Sequence, residues 1–241
     1  MNSAYLDRLS SAVQAFVVEI ERAAGVEVDV KLDSSRDGRG PDGEGILACD
    51  INERGARLLI PNDTYFPDNG VVHELLHVRR ILVERVPKLT ANLEFAGWAP
   101  EVENGLASLD NNLEHWVIVP EEIRRCPESG DRWNRVVERT WQRDLPGMTN
   151  QDDQRRWALM HWVFLAFVLP NAPAVPIAEQ VLARLGLRDQ ADRFLDAVQP
   201  VLGNKKRLVS VALEHLHLPL GAAALEYIDI GRRESRVVPL Q

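Results

Sequence analysis

The sequence is poor in features that mark secreted and membrane-spanning proteins. Its 241 residues include only two cysteines, Cys49 and Cys126, which lie far apart and outside any CxxC pair. They predict neither a disulfide framework nor a thiolate zinc site. The first residues lack the basic start and apolar core of a signal peptide, and the longest apolar run, Trp157 to Leu169, is interrupted by His161 and too short for a bilayer. We therefore expect a cytoplasmic protein without a membrane partner.

Basic charge is scarce as well. The chain has 28 Lys and Arg against 36 Asp and Glu, which gives a net charge of −8. A phosphate backbone calls for a basic face, so we expect no nucleic-acid partner. The local basic cluster Lys205-Lys206-Arg207 is interpreted as the solvated start of a helix. A hydrophobic content of 45% and a charged content of 27% are typical of a globular protein.

The most informative pattern present is His73-Glu74-Leu75-Leu76-His77, which has the form HExxH. On a helix, residues i and i+4 differ by about 40° in azimuth, so both imidazoles project from one face and can bind one cation. Glu74 lies about 100° from His73 and can instead take a proton from a metal-bound water. This pattern predicts a zinc site with Glu74 as general base.

The flanking residues predict a buried helix around this motif. Asp68 and Asn69 are candidate N-caps, Pro87 follows the last turn, and the predicted helix runs from Gly70 to Val86. Apolar residues surround most of its circumference, which is typical of a helix inside a protein.

A third zinc ligand is expected on a later helix, predicted from Pro100 to Ile118 with Pro120 just past its end. With about 100° per residue, Glu103, Asp110 and Glu114 share one stripe with apolar flanks. Carboxylates on an inward-facing stripe need a partner or a cation. We predict Glu114 as the third ligand, with Glu103 and then His115 as alternatives, and Asp110 as an acceptor that orients a ligating imidazole.

With these ligands the chain resembles the gluzincin group of zinc metallopeptidases, and in its compactness the minimal bacterial zincins of the IrrE and ImmA type. The resemblance covers roughly residues 1 to 120 and depends on the HExxH motif. It implies peptide-bond hydrolysis by a zinc-bound water, with His73, His77 and Glu114 as zinc ligands and Glu74 as the general base. No histidine follows at the spacing of the metzincin motif.

The reaction also needs a donor to the carbonyl oxygen that becomes anionic. His115, just off the metal-facing stripe, is our first candidate, and it completes the predicted catalytic pair with Glu74. The alternatives are Tyr65, His161, His215 and His217.

The expected fold is α+β: a zincin-like lobe with a small antiparallel sheet and an active-site helix, followed by a mostly helical carboxyl-terminal half. The lobe comprises residues 1 to 120, and residues 121 to 241 form a helical extension packed on it. The predicted amino-terminal elements are a helix over Ser3 to Ala24, strands over Val26 to Leu32, Gly45 to Ile51 and Ala56 to Pro61, and a loop over Asp33 to Gly45. The predicted later elements are helices near Glu121 to Leu145, Asp152 to Leu169, Ile177 to Leu187, Asp189 to Val198 and Lys205 to Leu216, and a hairpin over Leu225 to Val238.

The expected substrate is a protein or peptide, which an edge strand can bind by strand addition. Two other functions stay open: a catalytically silent zinc-containing module for protein binding or sensing, and a zinc hydrolase acting on a non-peptide amide. Replacement of Glu74 by Gln separates an enzyme, which loses turnover, from a silent module, which loses nothing.

Overall fold

The computed structural model describes residues 1–38 and 45–240 and has an α+β fold. The helices are α1 (Ser3–Leu6), α2 (Ser11–Ala24), α3 (Asp68–Val78), α4 (Pro100–Arg125), α5 (Ser129–Arg139), α6 (Gln151–Val168), α7 (Val175–Arg184), α8 (Arg188–Val198) and α9 (Lys205–His215). The strands are β1 (Val28–Leu32), β2 (Ala48–Asn52), β3 (Gly55–Ile60), β4 (Lys88–Ala91), β5 (Ala223–Asp229) and β6 (Glu234–Pro239). In these ranges no helix is both long and apolar enough to cross a bilayer.

The chain forms two compact units. The first contains Met1–Lys88, Glu121–Pro127 and Glu226–Val237. The second contains Leu89–Pro120, Glu128–Leu225 and the residues from Val238 onward. This division differs from the predicted single boundary after residue 120. The helix α4 continues through that position, and its last turns belong to the first unit.

The sheet of the first unit has the strand order β1-β3-β2. β2 and β3 are antiparallel, but β1 and β3 are parallel, with Val28 opposite Ala56 and Leu32 opposite Ile60. The prediction of an antiparallel sheet is therefore wrong for this pair. Alternation of apolar residues sets which face of a strand is buried and carries no information about strand direction. The predicted loop over Asp33 to Gly45 lies partly outside the described residues.

The helix α2 supplies much of the core of the first unit. Its buried positions recur at helical spacing, and they are Val13, Phe16, Val17 and Ile20. Gly25 ends the helix in the left-handed region at φ 72°, where glycine has no steric cost. The predicted helix over Ser3 to Ala24 is interrupted between α1 and α2.

Two predicted helix boundaries are corrected by the structure. α3 begins at Asp68 after Pro67, and its last turn passes into a π-helical segment, Arg79–Val83. α4 does not end at Pro120 but continues to Arg125. Proline removes only one backbone donor, and Arg125 anchors the final turn by placing its guanidinium 3.9 Å from the ring centre of Phe16 in the first unit.

The predicted helical carboxyl-terminal half is confirmed. In the second unit α6 packs on α8, and α8 packs on α9. Phe194 of α8 is fully buried, and its ring meets that of Trp116 edge to face, with centroids 6.0 Å apart. The predicted helix over Glu121 to Leu145 is broken between α4 and α5. The terminal hairpin is confirmed as β5 and β6, which form a second sheet of order β4-β5-β6.

Candidate metal centre

The candidate centre of the first unit is built on α3, which packs on α2 and β2. Every residue from Val71 to Val78 is buried, so the predicted burial of this helix is confirmed. His73 and His77 are each 8% exposed, and their ring centroids lie 5.1 Å apart in an edge-to-face arrangement. The i, i+4 spacing therefore brings the two imidazoles together, as the sequence predicts.

A buried carboxylate orients one of these imidazoles. Oε2 of Glu122, on the part of α4 that belongs to the first unit, lies 2.8 Å from Nδ1 of His73. Glu122 is 0% exposed. A carboxylate accepts from the protonated Nδ1, so in the neutral ring the lone pair lies on Nε2, which is the usual arrangement of a metal-binding histidine.

Sequence reasoning missed Glu122 because it ended the helix before Pro120. The sequence nevertheless contained one signal for the position of Glu122. Glu122 lies seven residues after His115, so on a continuous helix the two share one face.

Glu74, the predicted general base, lies on the same buried helix and is 8% exposed. Its negative charge acts on the thiol of Cys49 on β2. Burial raises the pKa of this thiol well above its usual value, and the negative charge of Glu74 raises it further. Cys49 is therefore protonated at neutral pH.

The carboxylate stripe predicted on α4 has a cation of its own in the second unit. Nζ of Lys205 lies 2.7 Å from Oε1 of Glu114 and 2.5 Å from Oδ1 of Asp110. Asp110 and Glu114 raise the pKa of Lys205 against the opposing effect of burial, so the ammonium persists. Lys205 is buried, which corrects its interpretation as part of a solvated helix start. The requirement that these acids be paired is met by an ammonium.

The other predicted site residues lie in varied surroundings. Glu103 is exposed on α4, and His115 meets the ring of Trp133 edge to face at 5.2 Å. Tyr65, in the first unit, is half-buried. In the second unit His215 stacks on Phe194, His217 is exposed with a φ of 53°, and His161 lines a cavity. These observations do not assign the oxyanion donor, which stays a prediction.

No protein-family model, curated protein or solved structure matches the chain. The resemblance to zinc peptidases therefore depends on the HExxH motif and on the geometry around it.

Proposed function

We propose that this protein is a zinc-dependent metallopeptidase in which His73 and His77 bind the metal and Glu74 is the general base. The observation that carries the proposal is the contact between Nδ1 of His73 and the buried carboxylate of Glu122. A carboxylate behind a ligating imidazole sets its tautomer and increases its basicity toward a metal. Two imidazoles at positions i and i+4 on one buried helix face supply two donors of a type that Zn²⁺ prefers.

For the third ligand we propose His115, with Glu114 as the alternative. Seven residues separate His115 from Glu122, so on α4 they share one face about 10 Å apart along the axis. Side chains on a helix lean toward its amino terminus, which brings the Glu122 carboxylate toward the turn that carries His115. Glu114 lies about 100° from this face and has Lys205 as a counter-ion. Three imidazoles are an established donor set for catalytic zinc.

Bound zinc would polarise a substrate carbonyl and lower the pKa of water. The residues of the chain would perform the proton transfers. Glu74 would accept a proton from the attacking water and pass it to the leaving amine. Burial of α3 excludes bulk water from this carboxylate, which strengthens its electrostatic interactions. The proposed substrate is a protein or peptide.

The test of the enzyme proposal is Glu74→Gln. The wild-type chain, reconstituted with zinc, is incubated with a library of unstructured peptides, and cleavage is followed by mass spectrometry. We expect the variant to retain one zinc per chain, measured by elemental analysis, and to lose roughly 10²- to 10⁴-fold in cleavage rate. Equal rates for both proteins, or a zinc-loaded wild type that cleaves no peptide, would favour the silent zinc module.

The test of the third ligand compares neighbouring substitutions on α4. We expect His115→Ala to reduce zinc affinity strongly and Glu114→Gln to leave it within about twofold, because only the former removes a donor. The opposite result would establish Glu114 as the ligand. Circular dichroism of both metal-free variants checks that a loss of zinc is not a loss of fold.

A further inference from the structure

The second unit contains a cavity of about 370 Å³ between α4, α6 and the segment that follows α9. This volume is within the range of small-molecule sites. The apolar walls come from positions at helical spacing on α4 and from α6 and α9, and they include Val102, Leu106, Leu109, Trp157, Met160 and Leu213. The cavity lies wholly among residues of the second unit and is independent of the proposed peptidase function.

Gly105 keeps one side of this cavity open. It lies inside the 26-residue helix α4 and lines the cavity, and a Cβ added there would meet no atom within 4 Å. Glycine in the interior of a helix is unfavourable compared with alanine, and nothing packed against Gly105 requires its small size. It leaves space on this wall that a long side chain such as leucine would occupy.

The polar groups of the cavity indicate which ligands it can hold. Arg156 is the single Lys or Arg among the described lining residues, and its Nη1 and Nε donate to Asp153 and to the Leu216 carbonyl at 3.2 Å each. Glu101 adds a further negative charge to the lining. An anionic ligand would therefore find no uncommitted cation among these residues, and a neutral ligand is favoured.

The half-buried side chain of His161 lines the cavity and is a polar group that such a ligand can contact. Its Nε2 has almost no solvent-accessible surface, so a ligand in the cavity would contact the other ring nitrogen, Nδ1. Burial lowers the pKa of His161 to about 4, so the ring is neutral at pH 7. Its neighbour Trp157 stacks on it with ring centroids 5.0 Å apart and is itself 43% exposed, which provides an aromatic wall. A neutral imidazole nitrogen donates or accepts a hydrogen bond according to its tautomer, so a ligand hydroxyl can bond to Nδ1.

We propose that this cavity binds a neutral, ring-containing small molecule whose single polar group forms a hydrogen bond with His161. The apolar walls and Trp157 would hold the ring, and Gly105 provides the space for it. The ligand class is thus a hydroxylated or similarly substituted aromatic compound.

The first experiment measures binding of 2-naphthol to the full chain by equilibrium dialysis. We expect saturable binding of one molecule per chain, at least tenfold weaker binding to Gly105→Leu, and a change of less than about threefold in Gly105→Ala. Both substitutions favour the helix, so loss of binding in the leucine variant alone reports filling of the cavity. Absence of saturable binding, or equal binding by the leucine variant, would overturn the proposal.

The second experiment compares 2-naphthol with naphthalene, which has the same rings and no hydroxyl. We expect the wild type to prefer 2-naphthol by roughly threefold to tenfold, as one hydrogen bond allows, and His161→Phe to lose this preference while it still binds naphthalene. An unchanged preference in the variant would exclude His161 as the polar contact. Glu74→Gln should bind both probes as the wild type does, which separates this site from the peptidase proposal.

Discussion

In the second unit the carboxylates of Asp110 and Glu114 meet the ammonium of Lys205, whereas in the first unit the carboxylate of Glu122 meets an imidazole of His73. The first arrangement supplies its own cation. The second arrangement places the Glu122 carboxylate beside Nδ1 of His73, and the other ring nitrogen of His73 can bind a cation. The comparison shows that buried carboxylates near one another in a sequence do not by themselves indicate a metal, because the partner determines their role.

The largest effect is expected from Lys205→Met. The substitution leaves Asp110 and Glu114 buried without their cation, and we expect unfolding free energy to fall by about 3–5 kcal/mol. Urea denaturation followed by circular dichroism measures the change. The matched control is Lys206→Met, one position along and exposed, which should change stability by less than about 0.5 kcal/mol.

A further variant that adds Asp110→Asn and Glu114→Gln to Lys205→Met should recover part of this loss, because it removes the unpaired charges. If Lys205→Met is no less stable than Lys206→Met, the Lys205 ammonium does not compensate the negative charges of Asp110 and Glu114.

The next effect is a pH dependence caused by His161 in the second unit. Its pKa is about 4 in the folded chain and near 6.5 when unfolded, so between these values the unfolded state binds more protons. Its contribution to stability is complete above pH 6.5 and is lost as pH falls toward 4, by up to about 3 kcal/mol.

Urea denaturation at pH 7 and pH 4.5 measures the slope of the unfolding free energy with pH. His161→Phe and His161→Gln differ in polarity but neither titrates, so both should reduce the slope. The same slope in all three proteins would mean that His161 is not the responsible group.

A smaller effect is expected from Glu122→Gln in the first unit. The amide keeps the volume of Glu122 and can still accept from Nδ1 of His73, but it lacks the negative charge that increases ligand basicity. We expect zinc affinity to fall about 10- to 100-fold, measured by competition with a chromogenic chelator. Unchanged affinity would remove the observation that carries the proposed metal centre.

The smallest effect is expected from Glu121→Gln, the neighbour of Glu122 and its matched control. Glu121 is paired with Arg124 and Arg125, and hydrogen bonding to Arg124 is the main cause that lowers its pKa to about 2. Arg124 is 67% exposed, so solvent screens the pair, and we expect less than about 1 kcal/mol of destabilisation and no change in zinc affinity. A loss of affinity equal to that of Glu122→Gln would mean that charge on this turn acts at long range.

The predictable part of the fold follows from local pattern. The alternation in β3, the spacing of the buried residues of α2 and the turn at Gly25 each depend on interactions within a few residues, and all three are present in the structure. The direction of β1 was predicted incorrectly, because it is set by pairing with β3, whose partner residues lie 28 positions further along the chain.

The same limit applies to the candidate site. Helical spacing brings His73 and His77 together whatever surrounds them, and it also places Asp110 and Glu114 on one stripe. Their partners, Glu122 for His73 and Lys205 for the stripe, are 49 and 91 residues away in the chain. No periodicity connects residues so far apart.

The amino-acid sequence by itself determined which residues have chemistry to offer and which of them share a helix face, because backbone geometry repeats every few residues. Only the tertiary structure decided what each of them meets. Burial removes water from a side chain and leaves it the partners that packing provides, so the same carboxylate can neutralise an ammonium or orient an imidazole.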